Sequence, residues 1–243
     1  FILSKTTLWV FLYIEVKMND EFIKVKMLIG DENFEILSNK KIVLIGLGGV
    51  GGSAFEALIR TGFKNITVID YDKIELSNLN RQLLSNLNNI NKYKVDEAKK
   101  KGSNINNNIN ITAYNTKLNS NNIADLISLD TDYIIDACDD VSAKIDIIKY
   151  SIKHNIKLIS CMGTANKLDP SLLKITNIWD TKYDKLSKII RKKLKEECIS
   201  NKITVVASDE KQLNIKELGS LYTVTNYAGI LCASYIINSI INN

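Results

Sequence analysis

Short runs of β-branched and apolar residues alternate along this chain with stretches whose apolar positions recur at helical spacing. Lys41 to Ile45 is one such run; glycines follow it, then a helical pattern, then a second run that ends at Asp70. Beyond a polar, partly helical stretch at Ser77 to Leu87, the pattern predicts an amphipathic, lysine-dense helix at Lys92 to Lys101. Strands are predicted at Ile109 to Tyr114, Tyr133 to Ala137 and Lys157 to Ser160, with helices at Asn122 to Leu129 and Ser142 to Lys153 between them. In the last of these helices Ile145, Ile148 and Ile152 form one stripe. Such alternation implies parallel strands joined by helical crossovers.

The character changes after Gly163. Strand-like runs at Leu172 to Ile178 and Ile203 to Ala207 flank a basic helix, and a long apolar helix closes the chain from about Leu221. No linker-like stretch intervenes, so this half reads as an antiparallel continuation of the same sheet. The expected fold is α/β: a Rossmann-like open sheet, parallel in its N-terminal half, with helices on both faces and residues 18–243 in a single domain.

The stretch from Lys41 to Asp72 carries the first chemistry. Gly46, Gly48, Gly49 and Gly51 allow a tight turn and close approach to a polyphosphate, while the amides opening the following helix point at its oxygens. Asp70, about 20 residues beyond the glycines, stands where a carboxylate accepts hydrogen bonds from a ribose. The chain is therefore expected to bind a nucleotide.

Composition narrows the setting. The 243 residues are 45% hydrophobic and 24% charged, which suits a folded globular protein, and the net charge of +5 suits an anionic partner. Cys138, Cys161, Cys198 and Cys232 form no C-x-x-C pair, so zinc held on local pairs is not expected and a reduced, cytoplasmic chain is. The single histidine, His154, falls in a polar turn and is read as a surface residue. Residues 1–17 precede the first methionine, Met18, and include the apolar run Leu8 to Ile14, too short to span a bilayer. They are read as a non-native or disordered extension. Asparagine-rich segments at Asn86 to Asn91 and Asn104 to Asn110 read as biased loop composition.

Glycines alone would favour a dinucleotide such as NAD. Arg81 in Ser77 to Gln82, and Lys94 after it, change that, because ATP cleaved between its α- and β-phosphates needs cations on the departing pyrophosphate. Asp139 and Asp140 follow the strand Tyr133 to Ala137 at the sheet edge where ligands bind. A carboxylate there can hold Mg²⁺. Equally, either residue can cap the helix that starts at Ser142.

Taken together, G-L-G-G-V-G, I-D-Y-D, S-N-L-N-R-Q, Lys94 and D-A-C-D-D resemble the ubiquitin-activating-enzyme-like superfamily of adenylating proteins. M-L-I-G-D-E-N-F-E-I-L-S-N-K-K-I and M-G-T-A-N-K-L-D-P resemble one branch, the tRNA threonylcarbamoyladenosine dehydratases, and the likeness runs from about Phe22 to Ile241. The resemblance implies a single ATP-binding adenylation domain over residues 18–243. Its cofactors would be ATP and Mg²⁺, and its substrate a modified adenosine beside the tRNA anticodon, whose carboxylate is adenylated and then cyclised with net loss of water. Gly46, Gly48, Gly49 and Gly51 correspond to the phosphate turn and Asp70 to the ribose contact. Asp72, Asn78, Arg81, Gln82 and Lys94 fall in the nucleotide-contacting motifs. Arg81, Lys94 and Asp139 would carry catalysis, with Asp139 on Mg²⁺.

The family also implies a homodimer in which an arginine and a threonine reach the partner's ATP; Lys24 and Val25 stand at those places here. Lysine keeps the charge and loses the bidentate fork. The loop Gly163 to Asn166 has fewer glycines than some relatives have. Cys161 precedes this loop and reads as a small apolar residue rather than a nucleophile.

Lys182 to Lys195 places Leu186, Ile189, Ile190 and Leu194 on an inward stripe and seven cations around it, a face that attracts nucleic-acid phosphates or is merely solvated. The closing segment Leu221 to Ile241 reads as a buried core or dimer-contact helix before a membrane attachment. The alternative function is an activator of a small ubiquitin-like sulfur-carrier protein, which would share every ATP residue. Sulfur-relay proteins therefore stay open as partners. A non-catalytic nucleotide-binding protein is the third reading, and the presence of both Arg81 and Asp139 counts against it.

Overall fold

The computed structural model describes residues 20–242, so the expectation for residues 1–17 lies outside the described residues. Two short helices, α1 (Ile23–Ile29) and α2 (Asp31–Asn39), lead into β1 (Lys41–Ile45), α3 (Gly49–Thr61) and β2 (Asn65–Ile69). There follow α4 (Lys94–Ile105), β3 (Asn110–Tyr114), α5 (Ile123–Leu126), β4 (Tyr133–Asp136), α6 (Val141–His154) and β5 (Lys157–Cys161). The last elements are β6 (Leu173–Asn177), α7 (Lys185–Glu196), β7 (Thr204–Ser208) and α8 (Tyr222–Ile241).

The seven strands form one sheet in the order β3-β2-β1-β4-β5-β7-β6. Only β6 runs antiparallel, against β7; β7 itself lies parallel to β5. The expected antiparallel continuation is thus a single edge pairing.

Side chains alternate across the sheet, so each strand feeds two cores. Ile42 and Leu44 of β1 join Phe55, Leu58, Val95, Ala228 and Ile236 beneath α3, α4 and α8. Val43 and Ile45 face the other way, with Ile123, Ile147 and Tyr150 under α5 and α6. At the far end Val205 and Ala207 of β7 pack with Ile148, Ile190 and Leu194 of α6 and α7.

Two predicted stripes are corrected by this layering. Ile152 is partly exposed, whereas Ala143, Ile147 and Tyr150 are buried, because α6 is covered on two sides rather than one. In α7, Ile189 is exposed and Ser187 is buried in its place. His154 is not in a turn but ends α6, with its ring 4.4 Å from that of Tyr150; Asn155, at a left-handed φ of 53°, closes the helix.

α8 is apolar enough and, at 20 residues, long enough to cross a membrane, yet half of its most apolar window is buried against the rest of the chain. It packs on α3 almost backbone to backbone: a Cβ at Gly229 would lie 2.1 Å from the Val50 carbonyl oxygen. Ser53 Oγ donates to the Asn226 carbonyl at 2.8 Å in the same contact. Gly229→Val is therefore expected to cost about 1–3 kcal/mol or more through overpacking. Urea denaturation measures this, and an unchanged midpoint would refute the close crossing.

Candidate functional site

Strand register brings the chemistry to one edge. Ile45 lies opposite both Ile69 and Asp136, Ile69 opposite Tyr114, and Asp136 opposite Ser160. Five parallel strands therefore end within one residue of a common level, and the loops that leave them meet over β1, where the chain order reverses. There they enclose a cavity of about 480 Å³.

Its floor is the turn between β1 and α3. Gly46 adopts φ +86°, a left-handed conformation that suits glycine, and donates its N–H to the Ile69 carbonyl at 2.9 Å. A Cβ on Gly51 would lie 1.8 Å from the Gly46 oxygen, so the turn folds back on the helix only without a side chain there. Gly46, Gly48 and Gly49 all line the cavity, and Gly48 caps α3 without a side-chain acceptor. The first amides of α3 thus face the cavity as an anion cradle.

Asp70 fixes this turn. Its Oδ2 accepts the Leu47 N–H at 2.5 Å and its Oδ1 the Asp72 N–H at 2.8 Å. Burial pushes its pKa above the ordinary carboxylate value, opposed by Lys94 and by the two backbone donors. Each oxygen keeps a second lone pair for a ribose hydroxyl.

Lys94 opens α4 and is only 4% exposed, with Nζ 2.8 Å from Asp72 Oδ2. Its amide is tied to the Asp72 carbonyl at 3.1 Å, so backbone and side chain hold it together. Asn78 accepts the Glu75 N–H at 3.1 Å and so closes the turn that presents Arg81. Arg81 Nη1 donates to the Ser77 carbonyl at 2.9 Å and to Asn80 Oδ1 at 2.8 Å, but no carboxylate pairs with it among the described residues. Gln82 is buried at the cavity wall, and its Oε1 has no hydrogen-bond partner among the described residues.

The structure separates the two aspartates. Asp140 Oδ1 caps α6, accepting the Ser142 N–H at 2.8 Å and the Ala143 N–H at 3.0 Å, and Oδ2 pairs with Lys117 at 2.8 Å. That pairing holds the Asp140 pKa below the usual carboxylate range. Asp139 is exposed at the cavity and has no ion pair among the described residues. No cluster of three metal-ligating side chains occurs among the described residues. One available carboxylate fits Mg²⁺ that arrives with nucleotide phosphates, since Mg²⁺ commonly takes one or two carboxylates and fills its shell with phosphate and water.

Of the expected site residues, Gly46, Gly48, Gly49, Asp70, Asp72, Asn78, Arg81, Gln82, Lys94 and Asp139 all line this one cavity, with Gly51 directly behind the turn. Lys24 does not: it sits exposed on α1, away from its own chain's cavity. Cys161 lines the cavity as a buried residue at the end of β5. Sequence reading missed Lys117, Leu118, Leu186 and Leu218, which line the cavity together with Tyr71 of the I-D-Y-D motif and with Thr164 and Ala165 of the loop already singled out. Their signal was positional only: they follow or face strand ends at the same edge. A second cavity, of about 620 Å³, lies against α3 and α8 and is lined mainly by apolar side chains such as Ala57, Leu83, Tyr227 and Ile230.

A Rossmann-like sheet whose switch-point cavity joins an anion cradle, two cations and an unpaired carboxylate defines a nucleotide-binding protein equipped to act at phosphate. The chain belongs to the ThiF family, whose pattern matches residues 23–243. It is 36% identical over 200 residues to the tRNA threonylcarbamoyladenosine dehydratase of Bacillus subtilis, covering 82% of this chain and 79% of that one. Against tRNA threonylcarbamoyladenosine dehydratase 2 of Saccharomyces cerevisiae it is 34% identical over 198 residues, 81% of this chain and 43% of that longer protein. The crystal structure of the Escherichia coli enzyme, TcdA, in complex with ATP superposes with a TM-score of 0.88 at 28% identity, covering 91% of this chain and 94% of that one.

The divided roles of the two aspartates are measurable. Asp140→Ala removes a helix cap and should lower stability by about 1 kcal/mol, whereas Asp139→Ala should leave it within about 0.5 kcal/mol. Equal losses in thermal or urea unfolding would contradict the assignment.

Proposed function

We propose that this chain is an ATP-dependent dehydratase of tRNA, which adenylates the carboxylate of threonylcarbamoyladenosine and closes it into a ring. The carboxylate attacks the α-phosphorus and expels pyrophosphate; a nucleophile within the modification then displaces AMP, and the carboxylate oxygen leaves with it. The observation that carries this reading is the pairing of Arg81 and Lys94 with an unpaired Asp139 around one phosphate turn. The similarity to dehydratases in two organisms and to an ATP-bound structure supports it.

Arg81 and Lys94 bind and orient the phosphates, and Asp70 holds the ribose. Asp139 would ligate Mg²⁺, which when bound neutralises charge on the phosphates. No sulfur moves in these steps. We place the enzyme in the cytoplasm, with its tRNA.

We further propose a homodimer. α1 exposes Met27 at 65% and Leu28 at 85% on the same short helix as Lys24, an apolar surface beside a cation. A second copy seated there would bring Lys24 towards the neighbouring ATP.

The tRNA is drawn to α7, where Lys185, Lys188, Lys192, Lys193 and Lys195 are exposed. Arg191 is not part of this face, because its guanidinium donates to the Ile178 and Thr181 carbonyls at 3.1 and 2.9 Å.

Incubation with ATP, Mg²⁺ and modified tRNA should release AMP and remove one water mass from the nucleoside. Activity that instead requires a carrier protein's C-terminal glycine would defeat the proposal. Arg81→Ala and Asp139→Ala should each lower kcat/KM by about 10²–10³-fold in a folded protein. Normal turnover by either variant would remove that residue from the machinery. Replacing Lys188 and Lys192 by glutamate should raise the KM for tRNA and flatten its dependence on salt, with the KM for ATP unchanged.

A further inference from the structure

Behind the loop that faces the nucleotide lie two charged side chains that the phosphate chemistry does not use. Lys167 and Asp184 are wholly buried, with Nζ and Oδ2 3.6 Å apart. Neither atom has a hydrogen-bond partner among the described residues. An ion pair taken out of water without hydrogen bonds is a poor source of stability. Its place in the fold is more telling.

Asp184 joins two elements. Its Oδ1 caps α7, accepting the Ser187 N–H at 2.6 Å and the Ser187 hydroxyl at 2.7 Å. Its Oδ2 lies against Gly163, where a Cβ would come within 2.8 Å. The loop that starts at Gly163 thus rests on the carboxylate at one end, and Lys167 returns to that carboxylate at the other. Between them Gly163, Thr164 and Ala165 line the nucleotide cavity, as does Leu186 from the first turn of α7. On its outer side the loop is pinned by Asn166, at φ 59°, which exchanges hydrogen bonds of 2.9 and 2.6 Å with Gly219.

We propose that Lys167 and Asp184 are positioning residues that make this loop and the basic helix α7 move as one body. Phosphates gripped on the outer face of α7 then set the inner face of the loop against the α-phosphate. The link to chemistry rests on the tRNA reading above; the link between loop and helix does not.

The test is the double variant Lys167→Met with Asp184→Asn. Asparagine keeps the helix cap, and no buried charge is left without a counterpart. Its thermal midpoint should equal or exceed that of the parent. Amide exchange across residues 163–167 should accelerate at least tenfold or so, with the core strands unchanged. The kcat for cyclisation should fall by about tenfold or more while the KM for ATP stays within about twofold, as expected when reacting groups are misplaced rather than lost. Unchanged exchange in the folded double variant would overturn the proposal, and a loosened loop with full kcat would overturn its link to chemistry. A loosened loop in a protein whose parent form does not cyclise modified tRNA would uphold the tie and refute the functional reading instead. Gly163→Ala approaches the same contact from the loop side and should show the same split between kcat and KM; parental values for both would count against the proposal.

Discussion

The site depends first on a buried carboxylate at the end of β2. Asp70 accepts the Leu47 amide with one oxygen and the Asp72 amide with the other, and so clips the phosphate turn to the neighbouring strand. Asp72, placed by that bond, holds Lys94. A single side chain therefore orients the anion cradle and the cation opposite it. Without it two amides beside the cavity would lose their acceptor, and an unsatisfied buried donor costs about 1–3 kcal/mol. Burial favours the protonated acid, but Lys94 and the two donors oppose this, so the cost of the charge is shared with the groups it positions.

A second carboxylate organises the opposite wall. Lys144 of α6 reaches under the sheet edge to Asp136 at 2.9 Å and to the Cys161 carbonyl at 2.8 Å, both partners wholly buried in the ion pair. Burial depresses the Lys144 pKa, but the Asp136 carboxylate outweighs it and the ammonium stands above its ordinary value. Asp136 Oδ1 also takes the Cys138 amide at 3.2 Å, so the turn that carries Asp139 is fixed from below. Burial and the same carboxylate push the Cys138 thiol up, which makes it a poor nucleophile although it lines the cavity. Leaving such a pair with one partner costs about 3–5 kcal/mol, which makes it a firm footing for an exposed acid.

How far the fold was legible follows from what sets each element. The parallel strands are buried on both faces and read as unbroken β-branched runs, so Lys41–Ile45 and Tyr133–Asp136 stood out. Glycine spacing located the turn between β1 and α3 because Gly46 takes a left-handed φ there and Gly51 leaves no room for a Cβ. Single-stripe reasoning failed for Ile152 and Ile189, since α6 is wedged between two cores and Ser187 is drawn inward by its bonds to the capping Asp184. The local pattern does not tell Asp139 from Asp140, since a cap and a ligand use the same side chain; the family resemblance alone set Asp139 apart, and the bonds to Ser142 and Ala143 identify Asp140 as the cap. Leu186 and Leu218 carry no local signal, because tertiary contact alone brings them to the cavity.

The distribution of charge, more than the glycines, separates adenyl transfer from hydride transfer. The same turn would hold a dinucleotide's diphosphate. Expelling pyrophosphate concentrates negative charge on the departing oxygens, and a cation about 4 Å away is worth roughly 4 kcal/mol at an effective dielectric near 20. That attraction grows as the bond breaks, so it lowers the barrier. Hydride transfer develops its charge on the nicotinamide ring, remote from the phosphates, and the same cations would bind ground and transition states alike. On the proposed reading, Arg81, with no carboxylate to neutralise it among the described residues, would serve only the first chemistry.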